Sequence, residues 1–169
     1  MKFRSKPRTT CRICGSSDLR PYLDLGSQPP SNSFIRSDEV DDEQRFPLVV
    51  NLCGGCGLSQ LSEVVAATDI FDEYAYLSST SKALVRHYQE MVDDLLWGFA
   101  PAPGSLVVDI GCNDGITLGR YPVGKYKLVG VEPSSSGEYA VKAGFTVEKR
   151  FFDAETARDM RAIYGGASI

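Results

Sequence analysis

Four cysteines stand in two matching knuckles, Cys11-Arg-Ile-Cys14-Gly15 and Cys53-Gly-Gly-Cys56-Gly57. Two residues separate the sulfurs of each pair, so a tight turn aims both thiolates at one point. The glycine after each pair admits the positive φ that such a turn often needs. Four sulfurs complete a tetrahedral zinc shell and leave no position for water, which makes the expected ion structural rather than catalytic. The same ligand set also suits a rubredoxin-like iron centre, which would colour the protein, whereas zinc would not. Chemistry on a substrate is therefore sought downstream.

A second constellation lies at Val107-Val-Asp109-Ile-Gly111-Cys-Asn113-Asp114-Gly115. An apolar run turns here into a loop of small residues, which lets a ligand lie against backbone at the carboxyl end of a strand. Glu132 follows about twenty residues later, the spacing at which an acidic side chain accepts hydrogen bonds from both hydroxyls of a ribose. Asp109 either holds the loop's shape or faces a cationic ligand. A dinucleotide would set its pyrophosphate on the following helix and favour Gly-x-Gly-x-x-Gly. Here Asn113 replaces the second glycine, and Asp114 adds negative charge where phosphate would sit. S-adenosylmethionine carries a cationic sulfonium and no phosphate, so it suits an acidic loop better. Cys112, inside this loop, reads as a small packing residue rather than a nucleophile.

The elements that must position these groups fall into three segments. The first, residues 6–62, is the expected zinc-binding module. The apolar run Phe46-Pro-Leu-Val-Val-Asn-Leu52 reads as a strand feeding the second knuckle. Leu23-Asp-Leu-Gly26, Ser27 to Asn32 and the acidic stretch Asp38 to Glu43 lie between the knuckles, the last as a solvated loop. The second segment, residues 69–100, is an expected helical connector. Leu84, Tyr88, Met91, Val92, Leu95, Leu96 and Phe99 recur at three- and four-residue steps, Ser78 to Ser81 offer N-caps, and Pro101 to Gly104 end the helix. The third, residues 104–169, alternates apolar strands (Leu106–Ile110, Lys127–Glu132, Phe145–Lys149) with helix-length stretches (Ile116–Tyr121, Ser136–Ala143, Ala154–Tyr164). That alternation implies βαβ units and a parallel, Rossmann-like sheet, so the fold class is α/β.

Length and composition bound the function. The 169 residues suit one ordinary domain or two small ones, and 43% are hydrophobic, as in a globular protein. No apolar run is long enough to span a membrane, and the basic start, Met1 to Thr10, reads as a disordered arm rather than a secretory signal. The expected compartment is the cytoplasm, where paired cysteines more often bind metal than form disulfides. A net charge of −4 without a basic stripe argues against nucleic acid as a partner.

Taken together, the two knuckles, Leu25-Gly26-x-x-Pro29, Tyr74-x-Tyr76-x-Ser78-Ser79, Ile110-Gly111-x-Asn113-Asp114-Gly115 and Gly130-Val-Glu-Pro-Ser134 occur in this order. In that order the chain resembles the front portion of the sugar-nucleotide C-methyltransferases, over nearly all of its length. The resemblance implies a zinc module with Cys11, Cys14, Cys53 and Cys56 as ligands. A class I methyltransferase domain binding S-adenosylmethionine would follow, and then a further domain that helps hold the sugar nucleotide. The implied reaction takes a proton from the carbon beside the keto group of a nucleotide-linked keto-deoxysugar, and that carbon then accepts the methyl group.

By the same resemblance Tyr76 and Ser79 flank the cofactor, together with the loop residues Asp109, Gly111, Asn113, Asp114 and Gly115 and with Glu132. Helix capping and ordinary packing are the alternative for Tyr76 and Ser78 to Ser81. His87 beside the helical stripe reads as a packing or surface residue. No catalytic residue is assigned, because the family's base and the next strand of the sheet are expected beyond Ile169. Without that strand, Leu106–Ile110 is expected to have an unpaired edge. A truncated methyltransferase is the leading reading, and a non-catalytic, zinc-stabilised interaction module is the alternative. Oligomeric state is not readable.

Overall fold

A computed structural model of the chain describes residues 3–31, 33–71 and 76–169. Asn32 and Tyr74, which the sequence reading singled out, lie outside the described residues. The chain divides into two compact units, Met1–Phe71 and Asp72–Ile169.

The first unit is built from short antiparallel strands. Strands β2 (Leu19–Gln28), β3 (Phe46–Cys53) and β4 (Ser59–Leu61) form one sheet in that order. β3 follows the apolar run. β2, which the sequence reading did not anticipate, sits at an edge, where Pro21 costs no ladder bond. Gly26, at φ 72, lies within a register shift between Asp24 and Ser27. The basic arm is a correction. Ser5–Pro7 (β1) pairs with Glu63–Val65 (β5), and the Arg4 guanidinium forks onto Asp69 in helix α1 (Ala67–Phe71). The acidic stretch is exposed from Asp38 to Asp42 and half-buried at Glu43, with a single 3-10 turn at Val40–Asp42. Among the described residues, the only fully buried apolar side chains of this unit are Cys11 and Cys53. The sheet has no hydrophobic core of ordinary size.

The second unit has a conventional core. Helix α2 (Lys82–Phe99) is capped by Ser81, whose hydroxyl accepts from the Leu84 N–H, and it ends at Ala100 in the left-handed conformation. The continuous helical reading of Asp69–Phe99 is corrected here: a separate 3-10 turn, Ser78–Thr80, precedes α2. Of the expected stripe, Val92 is fully buried, Phe99 is exposed and the rest are half-buried, and His87 also lies at the surface.

Strands β6 (Leu106–Ile110), β7 (Lys127–Val131) and β8 (Thr146–Glu148) run parallel in the order β6-β7-β8. Alternate residues face opposite sides, as the period of two requires. Val107 packs with Val92 of α2, Tyr121 and Tyr126. Leu106, Val129 and Val131 pack with Met160 of α4 (Ala154–Tyr164). Helix α3 (Gly137–Lys142) supplies Ala140 to a third cluster with Cys112 and Leu118. The helix expected at Ile116–Tyr121 is reduced to a 3-10 turn, Leu118–Arg120, between Gly115 at φ 81 and Pro122.

The free edge expected at β6 is also revised. Ala167 bridges Leu106 in parallel, the Ser168 N–H donates to the Leu106 carbonyl, and the Val108 N–H donates to the Ile169 carbonyl. A few residues thus satisfy part of that edge.

Candidate functional site

The two knuckles fold as near copies. In each, the glycine N–H donates to the carbonyl of the first cysteine: Gly15 to Cys11 at 3.1 Å and Gly57 to Cys53 at 2.9 Å. Both glycines are left-handed, at φ 74 and 76. The turns carry the four sulfurs to within 4.8 Å of one another, with Cys11–Cys56 and Cys14–Cys53 each at 3.6 Å. These are free thiols, not disulfides. Gln60 on β4 braces the first turn: its carbonyl accepts from the Arg12 N–H and its amide donates to the Thr10 carbonyl. Sequence reasoning missed Gln60, since nothing local marks a buried amide as a brace.

The electrostatics of the cluster call for a cation. The Cys11 thiol is lowered to about 6, chiefly by the backbone N–H of Cys14 and then of Ile13. Cys56 is pushed up to about 12. The Leu58 N–H favours its thiolate, but Cys11, burial and the other two sulfurs together outweigh it. Four thiolates cannot coexist this closely on their own, and a dication removes the conflict. Four sulfurs from two turns match a closed zinc shell in ligand type and number.

The second site lies at the carboxyl end of β6. The chain leaves the strand at Gly111 (φ 76), and the N–H groups of Gly111 and Cys112 both donate to the Val131 carbonyl. That folds the loop over the end of β7. An added Cβ at Gly111 would meet nothing within 4 Å, so this stretch of backbone is open to a ligand. Gly115 is different: a Cβ there would come to 3.0 Å from the Phe145 ring and 3.1 Å from the Ala140 Cβ. Its smallness serves packing.

The acidic groups divide by their partners. Glu132 is 6% exposed, and its two oxygens accept from the N–H groups of Asn113 and Ser134, both at 2.9 Å. Each oxygen keeps a second lone pair. Asp114 accepts from the Ser79 N–H through Oδ2, while its Oδ1 is buried without a hydrogen-bond partner. Asp109 Oδ2 is likewise buried and unpartnered. Burial raises the Asp109 carboxyl above its ordinary range, the Thr117 hydrogen bond opposes this, and the Glu132 charge adds to it. Cys112 is pushed up to about 12, first by burial and then by the charges of Asp109 and Glu132. A thiol held protonated beneath the loop packs rather than attacks.

Tyr76 and Ser79 come to this loop through backbone. The Tyr76 carbonyl accepts from Asn113 Nδ2 at 2.9 Å, and the Ser78 N–H donates to Asn113 Oδ1 at 3.0 Å. The loop is thus ringed by acceptors, two of them idle. Such a site fits a ligand rich in donors and positive charge, and fits a pyrophosphate poorly. That donor set agrees with an aminoacyl sulfonium nucleoside.

Comparison with known proteins adds two findings. Residues 11–71 match the family described as "Putative zinc binding domain". Over 152 residues the chain is 30% identical to "C-methyltransferase NovU" of Streptomyces niveus, an alignment that covers 85% of this chain. It covers 36% of that protein, so the chain spans well under half the length of the curated relative it matches. Over most of its own length the chain is thus similar to a C-methyltransferase, and residues 11–71 are similar to the zinc-binding family.

Proposed function

We propose that the chain takes part in S-adenosylmethionine-dependent C-methylation of a nucleotide-linked keto-deoxysugar, with zinc as a structural ion. The observation that carries the cofactor reading is the pair of buried, unpartnered carboxylate oxygens, Asp109 Oδ2 and Asp114 Oδ1, beside the open backbone of Gly111. When bound, the sulfonium supplies an electrophilic methyl group. Asp109 and Asp114 would face the ligand's cationic end, and the spare lone pairs of Glu132 would accept from ribose hydroxyls. Tyr76 and Ser79 would flank the ligand, with Gly111, Asn113 and Gly115 shaping the loop.

Cys11, Cys14, Cys53 and Cys56 would hold zinc in residues 6–62, residues 69–100 would serve as connector, and residues 104–169 would begin the cofactor-binding domain. The proposed setting is the cytoplasm, whose reducing chemistry keeps the thiols available. No helix among the described residues is long and apolar enough to cross a membrane. The sugar substrate follows from the resemblance and from the C-methyl chemistry named for the relative.

Calorimetry with S-adenosylhomocysteine tests the cofactor reading. Saturable one-to-one binding, with no heat from NAD, is the expected result. A response to NAD in place of S-adenosylhomocysteine would refute it.

A further inference from the structure

Asn113 is the one non-glycine residue of the loop held at positive φ, at 50°, and it is 8% exposed. Asparagine tolerates this conformation better than most residues, but glycine would adopt it without strain. The side chain therefore has a use there. It makes two hydrogen bonds to one segment: Oδ1 accepts from the Ser78 N–H at 3.0 Å, and Nδ2 donates to the Tyr76 carbonyl at 2.9 Å. Its own N–H donates to Glu132 Oε2 at 2.9 Å. Three atoms of one residue thus join the loop, the strap at residues 76–79 and the acidic side chain after β7.

We infer that Asn113 is a positioning residue. It clasps the strap against the glycine loop and sets the spacing between Tyr76, Ser79 and Glu132, rather than contacting the ligand itself. Asp114 adds one parallel bond, from the Ser79 N–H to Oδ2 at 2.9 Å. The clasp is a mimic of backbone pairing: the carboxamide offers one acceptor and one donor, as a neighbouring strand would. An aspartate in its place keeps the acceptor for Ser78 and loses the donor for Tyr76. A glycine keeps the left-handed backbone and loses both. The importance of the clasp for binding rests on the cofactor reading above, whereas its existence does not.

Amide hydrogen exchange on the full, ligand-free, zinc-loaded chain separates the two. In Asn113→Gly the Ser78 amide is expected to exchange at least about tenfold faster, while amides of Val107 and Val129 in the core stay slow. In Asn113→Asp the protection of Ser78 is expected to return. Affinity for S-adenosylhomocysteine is expected to fall about tenfold in Asn113→Gly, through loss of a pre-formed strap. An unchanged Ser78 rate in Asn113→Gly overturns the assignment. So does equal acceleration in both variants, which places the effect in the loop backbone. A clasp seen by exchange in a protein that gives no heat with S-adenosylhomocysteine refutes the cofactor reading alone.

Discussion

Glu132→Ala distinguishes a carboxylate that builds the loop from one that only meets a ligand. Both carboxylate oxygens accept backbone N–H groups at 2.9 Å, from Asn113 and Ser134, at a site 6% exposed. Hydrogen bonds to a charged acceptor contribute about 1.5–3 kcal/mol each, and a buried donor left unpaired costs about 1–3 kcal/mol. Water entering the space of the missing side chain recovers part of this. A net loss of about 3 kcal/mol follows for the second unit. Glu132→Gln keeps the volume and one acceptor but turns its amide against the other N–H, so about half to two-thirds of that loss is expected. Urea unfolding followed by far-UV ellipticity reads this unit selectively, because its helices α2 and α4 are the longest among the described residues. With a slope of about 2 kcal/mol/M, the midpoint should drop by roughly 1.5 M for alanine. A midpoint within about 0.3 M of wild type, alongside lost affinity for S-adenosylhomocysteine, would refute the reasoning. Glu132 would then be a ligand group without a structural share.

The remaining predictions address metal, packing and pH. Metal analysis should find one zinc per chain and a colourless protein. Chelation should unfold residues 3–71 to protease while leaving the helical signal of the second unit intact, because structural zinc supplies about 10–16 kcal/mol of folding free energy in small modules. Gly130→Ala should destabilise by about 1–3 kcal/mol, since the new Cβ would stand 2.4 Å from Cys112 Sγ and 3.3 Å from Leu118 Cδ1. Adding Cys112→Ala should recover most of that loss in the same urea assay, and strict additivity of the two changes would contradict the contact. Asp153 caps α4 by accepting from the Thr156 N–H at 2.8 Å, and that bond lowers its carboxyl below the ordinary 3.8. A depressed folded pKa means stability that is present above about pH 4 and lost as pH falls through the folded value. Acidification should therefore lower the urea midpoint more in wild type than in Asp153→Asn, and equal slopes would argue against the cap.

What could be read from the sequence was what is encoded locally. The knuckles are a ligand-spacing code four residues long, and both turns form with the expected left-handed glycines. β6 and β7 are legible because a strand buried on both faces reads as an unbroken apolar run. Ser81 announces the start of α2 through its hydroxyl cap. β2 was hidden for the converse reason: most of its side chains are exposed, and Pro21 and Gly26 look like turn residues when the edge position and bulge that accommodate them are unknown. The turn after Gly115 was misread because helix length alone does not reveal that Gly115 is left-handed and packed against Phe145. In the candidate site the residue types were visible but their partners were not. That Glu132 reaches back nineteen positions to Asn113, and Asn113 a further thirty-seven to Tyr76, is a fact of topology.

The two units reach stability by different means, and this bears on where the chemistry is placed. Met1–Phe71 buries little apolar surface among its described residues, so its order must come from the sulfur cluster. A closed four-thiolate shell has no coordination site to offer a substrate. Asp72–Ile169 buries Val92, Val107, Leu118, Val129 and Val131 around a parallel sheet, which holds its loops without a metal. Among the described residues, idle, buried carboxylate oxygens occur only in that second unit, at Asp109 and Asp114, beside backbone left bare by glycine. Unpaired acceptors in a buried place cost free energy. A ligand that brings donors and positive charge would recover that cost on binding, and this is the ground on which a sulfonium ligand is proposed over a pyrophosphate.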